Sequence, residues 1–323
     1  MLPITPWKKP YLMVLTNLYC NHQCSYCIQQ ESSLDVRKNG NRINVPQVLE
    51  FLEHNRIDRS VKVLGGEATL HPDFEPLIDG LSRLYRRVVL TTNLNGRWYE
   101  DYDKALATMK RWDSVRFNTT YHPAWMDVEV YIERVRAMLA AGLDVDQVAA
   151  PDTPELTDEE ATKLNEAGIG WSIQTFTGRA PDGRLLPQTW GDIRREYPQL
   201  WDASKYIEHY DEYAAECEDA NFTAGFERET WVDCTTSRFL IGPDNKVYPC
   251  HRHLYVADPQ YAIGAIDDVE MKDFRYKWND FRGRWTLPCH TKCNPCDFRT
   301  VKIRETNRKV NLEALEAKAA GAH

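Results

Sequence analysis

An α/β fold is the architecture that three features of the sequence predict. Apolar strand-like runs alternate with amphipathic helical stretches from Leu12 to Phe176, turn-forming residues separate them, and beyond Phe226 the composition becomes rich in cysteine. Repeated β-α units give a parallel sheet with helices outside it. Right-handed crossovers curl six such units into an open, partial (β/α)6 TIM-like barrel, whose reactive end lies at the C-terminal ends of the strands. A small C-terminal domain is expected to follow the barrel.

The expected strands are Leu12–Thr16, Val61–Leu64, Val88–Thr92, Ser114–Thr119, Asp144–Ala149 and Gly170–Thr175. Helical stretches between them include Val45–Asn55, Phe74–Tyr85, Val128–Ala141 and Asp158–Ala167. Turn chemistry agrees: Pro46 stands at a helix start, Gly142 after a helix end, Asp158 in a first turn, and Gly168 closes the next helix. After Gly178 turns rich in Pro, Gly and Arg lead to an expected helix at Ser204–Asp219, and Val310–Ala320 reads as a terminal helix. The expected division is residues 1–200 for the barrel, 201–227 for a bridging helix, 228–300 for the cysteine-rich domain and 301–323 for a helical tail.

Hydrophobic residues make up 42% and charged residues 27%, values near those of soluble globular proteins that suggest neither a disordered chain nor a membrane protein. A net charge of −8 disfavours polyanionic partners, and the basic residues gathered at Arg275–Arg284 and Arg299–Lys309 read as solvated faces, so nucleic acid is not expected. No apolar stretch precedes a small-residue cleavage site, and no apolar run is long enough to span a bilayer. A cytoplasmic protein without membrane contact is therefore expected. Thiols stay reduced there, so nine cysteines, eight of them concentrated in two groups, point to metal or catalysis rather than disulfides.

Cys20, Cys24 and Cys27 follow the first strand in the segment Thr-Asn-Leu-Tyr-Cys-Asn-His-Gln-Cys-Ser-Tyr-Cys. Three thiolates on one tight loop can hold three irons of a four-iron cluster and leave the fourth without a protein ligand, a place for chemistry. A zinc site is the alternative, with His22 as a fourth ligand at an unfamiliar spacing. Three cysteines so spaced at the end of the first strand of a β-α barrel resemble the signature of the radical S-adenosylmethionine (SAM) superfamily, over roughly residues 11–176. The resemblance implies that Tyr26, just before the last cysteine, meets the adenine. It also implies that Gly65-Gly66-Glu67, after the second strand, receives the methionine ammonium: glycines let the backbone come close and a carboxylate pairs with the cation. Thr91-Thr92-Asn93 and Asn118-Thr119-Thr120 end the third and fourth strands, where the family places contacts to ribose and carboxylate; Asn93 and Thr119 are the residues assigned. Ala68 stands where many relatives have proline.

Cys234 and Cys250 bracket a segment that reads as a hairpin turning at Gly242-Pro243-Asp244-Asn245. Cys289, Cys293 and Cys296 follow, the last two at the spacing that clasps metal from one turn. This arrangement resembles the Twitch domain, the shorter relative of the SPASM extension, and implies a second, auxiliary four-iron cluster on Cys234, Cys250, Cys293 and Cys296. Cys289 either replaces one of these ligands or stays as a thiol near the site. A zinc ribbon would use the same four residues. Cys217, in the bridging helix, belongs to neither group: it is either a buried inert thiol or a hydrogen-atom donor, as in some peptide epimerases of the superfamily.

The resemblance implies reductive cleavage of SAM to a 5′-deoxyadenosyl radical, with two four-iron clusters as cofactors and an external electron donor such as flavodoxin or ferredoxin. Cys20 lies only about twenty residues from the N-terminus, with no room ahead of it for a fused leader-peptide-binding domain. The expected substrate is therefore a small polar metabolite that is oxidised or rearranged. Crosslinking or epimerisation of a ribosomal peptide is the alternative within the family, and a non-catalytic two-cluster electron carrier is the alternative outside it.

Overall fold

The computed structural model describes residues 11–24, 27, 42–55, 60–151, 155–174, 231–236, 238–249, 254, 262–274, 286–290 and 299–303. Six parallel strands, β1 (Tyr11–Leu15), β2 (Ser60–Leu64), β3 (Arg87–Thr92), β4 (Val115–Thr120), β5 (Asp144–Pro151) and β6 (Trp171–Gln174), lie side by side in chain order. The helices α1 (Val45–His54), α2 (Phe74–Leu84), α3 (Tyr102–Met109), α4 (Val128–Ala140) and α5 (Asp158–Glu166) connect them. Four of these match the expected stretches to within a residue. The shorter α3 buries only Ala105, Thr108 and Met109, a stripe too narrow to give a strong periodic signal.

Local chemistry fixes the helix starts. Asn44 accepts the Gln47 N–H ahead of α1, Asp127 accepts those of Glu129 and Val130 ahead of α4, and Thr157 with Glu160 forms a reciprocal capping box at α5. Alternate strand residues then meet the helices: Val14, Val61, Val63, Val88, Leu90, Val115, Phe117, Val148 and Ala150 pack into one core with Leu52, Leu77, Ile78, Met109, Tyr131 and Val135. Each such buried side chain contributes about 1.5–3 kcal/mol of transfer free energy, which holds the strand register.

Three further strands join the same sheet. β8 (Arg238–Ile241) runs parallel to β1, β9 (Lys246–Tyr248) returns antiparallel to β8, and β10 (Gly264–Ala265) pairs with β9. The hairpin turns at the expected residues, with the Asn245 N–H donating to the Gly242 carbonyl and Asn245 at φ 59°. Asn245 Oδ1 also accepts the Asn44 N–H at 2.8 Å, which fastens the hairpin to the start of α1. Met13, Leu15, Leu18, Leu240, Tyr248 and Leu254 form a second, smaller core on the face away from the helices. Among the described residues the sheet is open, running from β10 to β6.

β7 (Trp231–Thr236), β11 (Thr286–His290) and β12 (Arg299–Ile303) make a separate antiparallel sheet. In its register Cys234 lies opposite Leu287 and Val301, and Cys289 lies opposite Val232. The expected helices at 204–219 and 310–320 lie outside the described residues.

At the N-terminal ends of the strands Arg87 meets Asp146 at 2.8 Å and Arg116 meets Asp144 at 2.8 Å. These pairs are half-exposed, so each adds about 0–1 kcal/mol. The polar chemistry that follows gathers at the opposite, C-terminal end.

Candidate functional site

The cysteine loop leaves β1 and is held down by backbone. The Thr16 N–H donates to the Leu64 carbonyl, the Gly66 N–H to Asn17 and the Glu67 N–H to Tyr19, at 2.8–2.9 Å. Pairing of β1 with β2 thus continues past both strand ends, into the cysteine loop on one side and Gly65-Gly66-Glu67 on the other. Gly66 is required by space: a Cβ there would stand 2.1 Å from the Tyr19 carbonyl oxygen and 2.8 Å from the Cys20 nitrogen. At Gly65 it would meet Thr16 Oγ1 at 2.7 Å and the Asn17 oxygen at 2.8 Å. The glycines let two backbone segments touch.

Glu67 is only 2% exposed, and both carboxylate oxygens are engaged. Oε1 accepts from Thr69 Oγ1 at 2.8 Å, Thr92 Oγ1 at 2.9 Å and the Thr69 N–H at 3.2 Å, while Oε2 accepts the Asn93 N–H at 2.8 Å. Burial pushes its pKa up, and these donors act against that shift. The carboxylate therefore ties the β2 loop to the end of β3. Glu67→Gln sets an amide against donors that need an acceptor, so a loss of stability of about 1–3 kcal/mol is expected. Thermal melting and equilibrium dialysis of SAM separate its roles. A lower melting temperature with an unchanged dissociation constant would limit Glu67 to organising the loop, whereas a dissociation constant raised by about tenfold or more, about 1.5–3 kcal/mol, places it at the ammonium.

Asn93 closes the site from β3. Its Nδ2 donates to Asn21 Oδ1 at 3.0 Å and lies 3.8 Å from Cys20 Sγ. Asn95 Nδ2 donates to His22 Nε2 at 3.0 Å and to the Trp125 carbonyl, and Asn95 Oδ1 accepts the Gly96 N–H, which fixes the amide's orientation. His22 Nδ1 in turn lies 3.5 Å from Asn93 Nδ2, so both ring nitrogens of His22 face amide N–H groups. Between the two asparagines Leu94 adopts φ 54°, a left-handed conformation that costs a side-chain-bearing residue about 1–3 kcal/mol. Arg134 of α4 donates to the Leu94 carbonyl and, at 3.3 Å, to that of Tyr99, and the Leu94 N–H donates to Thr92 Oγ1. These bonds hold the turn that aims Asn93 and Asn95 at the cysteine loop.

The loop after β4 supplies His122 and Trp125. His122 Nδ1 lies 3.7 Å from Cys24 Sγ, and His22 is edge-on to His122 and stacked on Trp125 with ring centroids 5.5 Å apart. Burial lowers the pKa of His22 to about 4 and that of His122 to about 3, so both rings are neutral near pH 7.

The three thiols fit a metal cluster. The Cys27 N–H donates to the Cys24 carbonyl in a tight turn, and the His22 N–H donates to Cys20 Sγ at 3.4 Å. Burial pushes the Cys20 thiol up to about 12, with Glu67, Cys27 and Cys24 adding to the shift. Thiolates packed this way are unfavourable without a cation among them, and bound iron reverses that balance. Ligand atoms of His22, Cys24 and His122 also lie within 4.8 Å of one another. Both ring nitrogens of His22 already face amide donors, Asn95 Nδ2 at 3.0 Å and Asn93 Nδ2 at 3.5 Å, which weighs against His22 as a ligand to a single ion.

On the face away from the helices, Thr91 and Asn118 are register partners in β3 and β4. Thr91 Oγ1 and Asn118 Oδ1 are buried with no protein partner among the described residues, and Asn118 Nδ2 donates to Gln147 at 3.3 Å. Buried polar atoms of this kind want a polar ligand. Thr119 is turned the other way, fully buried with its hydroxyl 2.8 Å from that of Tyr131 in α4. The strand alternation therefore sends Asn118 and Thr119 to opposite faces of the sheet, Thr119 toward α4.

Of the residues expected from sequence, Cys20, Cys24, Cys27, Gly65, Gly66, Glu67 and Asn93 are brought together at one end of the sheet. Tyr26, Cys217, Cys250, Cys293 and Cys296 lie outside the described residues, and Cys234 and Cys289 are described as backbone only. His122, Asn95, Trp125 and Arg134 join the site without having been marked in sequence. His122 and Asn95 do sit just past the ends of β4 and β3, where the reactive end of such a barrel lies.

Residues 14–122 match the radical SAM superfamily model. This stretch holds the cysteine loop, the β2 and β3 loops and His122. The structure of Streptococcus suis SuiB bound to S-adenosylmethionine is similar at 16% identity and a TM-score of 0.55, over 83% of this chain and 66% of that one. SuiB bound to the precursor peptide SuiA gives 16% identity and a TM-score of 0.55, over 84% of this chain and 65% of that one. BtrN in complex with AdoMet and 2-DOIA gives 14% identity and a TM-score of 0.45, over 91% and 93%. The likeness to SuiB is one of fold, and this chain spans about two thirds of SuiB's length. No curated protein sequence matches the chain. Among the described residues no helix is long and apolar enough to cross a membrane.

Proposed function

We propose that this chain reductively cleaves S-adenosylmethionine and uses the 5′-deoxyadenosyl radical to take hydrogen from an unactivated carbon of a small polar metabolite. The observation that carries the reading is the fastening of the three-cysteine loop to Gly65-Gly66-Glu67 through the Gly66 and Glu67 N–H bonds. A loop for a cluster and a loop for an amino acid moiety thereby become one site. Cys20, Cys24 and Cys27 would hold the cluster, which supplies one electron to the sulfonium when bound, the carbon–sulfur bond breaking to methionine and the adenosyl radical.

The chain's own part is binding, orientation and exclusion of water. The β2 loop approaches the methionine end through glycine backbone, Thr91 and Asn118 offer buried acceptors, and Trp125 stacks on His22 of the cysteine loop. Thr91, Asn118 and Gln147 give the inner face a polar character, which supports a polar substrate. A second four-iron cluster on Cys234, Cys250, Cys293 and Cys296, with Cys289 as the alternative ligand, completes the proposal and suits an oxidation or rearrangement. Electrons would come from a flavodoxin or ferredoxin. A ribosomal peptide is the second reading, prompted by the precursor peptide bound to SuiB.

The test is anaerobic incubation of iron-reconstituted chain with dithionite and SAM. We expect 5′-deoxyadenosine and methionine in equal amounts. A reduced, iron-loaded chain that leaves SAM intact would be an electron carrier and would end this reading.

A further inference from the structure

We propose that His122 donates a hydrogen bond from Nδ1 to the sulfur of Cys24 and makes the cluster on that loop easier to reduce. The proposal rests on the assignment of Cys24 as a cluster ligand made above. His122 enters from a different element, two residues beyond β4, and its Nδ1 lies 3.7 Å from Cys24 Sγ, within reach of a hydrogen bond to sulfur.

Its position is built rather than accidental. The Tyr121 N–H donates to the Ala149 carbonyl at 2.7 Å and the Trp125 N–H to the His122 carbonyl at 3.0 Å, so the backbone on both sides is pinned. His22 stands edge-on to the ring at 5.3 Å, is itself stacked on Trp125, and is held through its Nε2 by Asn95 Nδ2 at 3.0 Å. A thiolate bound to iron carries no proton, so attraction across this contact requires the proton to be on His122. The N–H dipole then favours the more negative, reduced cluster over the oxidised one, and hydrogen bonds to cluster sulfurs are among the features that set reduction potentials. One electron enters from the external donor and no proton moves. His122 is a positioning residue in this role, acting on the reaction only through the cluster.

The experiment is an EPR-monitored potentiometric titration of the reconstituted full chain with dithionite, following the cluster signal that changes when SAM is added. In His122→Phe the ratio of reduced to oxidised cluster at the wild-type midpoint is expected to fall about tenfold, a 59 mV shift for a one-electron couple, with iron content unchanged. His122→Gln returns an N–H donor and should recover part of the shift. An unaltered midpoint in iron-loaded His122→Phe would overturn the proposal. Should that variant fail to take up iron, pulsed EPR of the reduced chain carrying His22→Phe and labelled with histidine 15N in the ring only decides: a coupled ring nitrogen is expected, and its absence overturns the proposal. Failure of the wild-type chain to bind a cluster or cleave SAM would instead strike the functional reading itself, so the two failures are distinct.

Discussion

Replacing Cys20, Cys24 and Cys27 together with alanine is expected to abolish 5′-deoxyadenosine formation and to lower the iron content from about eight to about four per chain. The three thiols sit on one loop, which makes them a single ligand set in this reading. The remaining iron would belong to the set Cys234, Cys250, Cys293 and Cys296. Iron analysis and product quantification on the same preparation check both halves. Loss of all iron would mean that the two sites are not independent, and retained cleavage would remove the N-terminal loop from the chemistry.

Gly66→Ala should come close to the same loss of activity without touching a thiol. The new methyl carbon would meet backbone atoms of Tyr19 and Cys20 at 2.1–2.8 Å, and backbone cannot swing aside as a side chain can. The Gly66 and Glu67 N–H bonds to Asn17 and Tyr19 would have to lengthen or break, lifting the cysteine loop off the β2 loop. Overpacking alone costs about 1–3 kcal/mol and the lost bonds add to it. Gly142→Ala is the control: at φ 76° with nothing within 4 Å of its Cβ position, it strains the backbone by about 1 kcal/mol and leaves the site intact. We expect iron content and cleavage to collapse in Gly66→Ala and to hold in Gly142→Ala. Normal iron loading and activity in the first variant would show that the clamp is dispensable.

The barrel was legible in the sequence because its strands and helices carry regular apolar periods and their boundaries carry caps. Asn44, Asp127 and Thr157 each cap the helix that follows, so the ends agree with expectation to within a residue or so. The parallel pairing of β8 with β1 was not legible, since it joins segments more than two hundred residues apart and depends on Leu240 and Tyr248 sharing a small core with Met13 and Leu15. Within the site, residues in a contiguous motif were readable and isolated ones were not. Gly66 could be marked from Gly-Gly-Glu, although the reason it must be glycine is a contact with Tyr19. His122, Asn95 and Trp125 are single residues that acquire meaning only when three loops converge. Thr119 and Asn118 differ by one position, and a strand sends adjacent residues to opposite faces. Which face meets helix α4 is settled by the Tyr131 hydroxyl, a partner that no local pattern names.

The most direct test of the central claim, that the cysteine loop and the β2 loop form one site for SAM, is electron–nuclear double resonance on the reduced, reconstituted chain with SAM isotopically labelled in its methionine moiety. The account predicts coupling between the label and the N-terminal cluster, lost when Cys20, Cys24 and Cys27 are replaced. SAM that binds to the chain with no coupling to that cluster would contradict it.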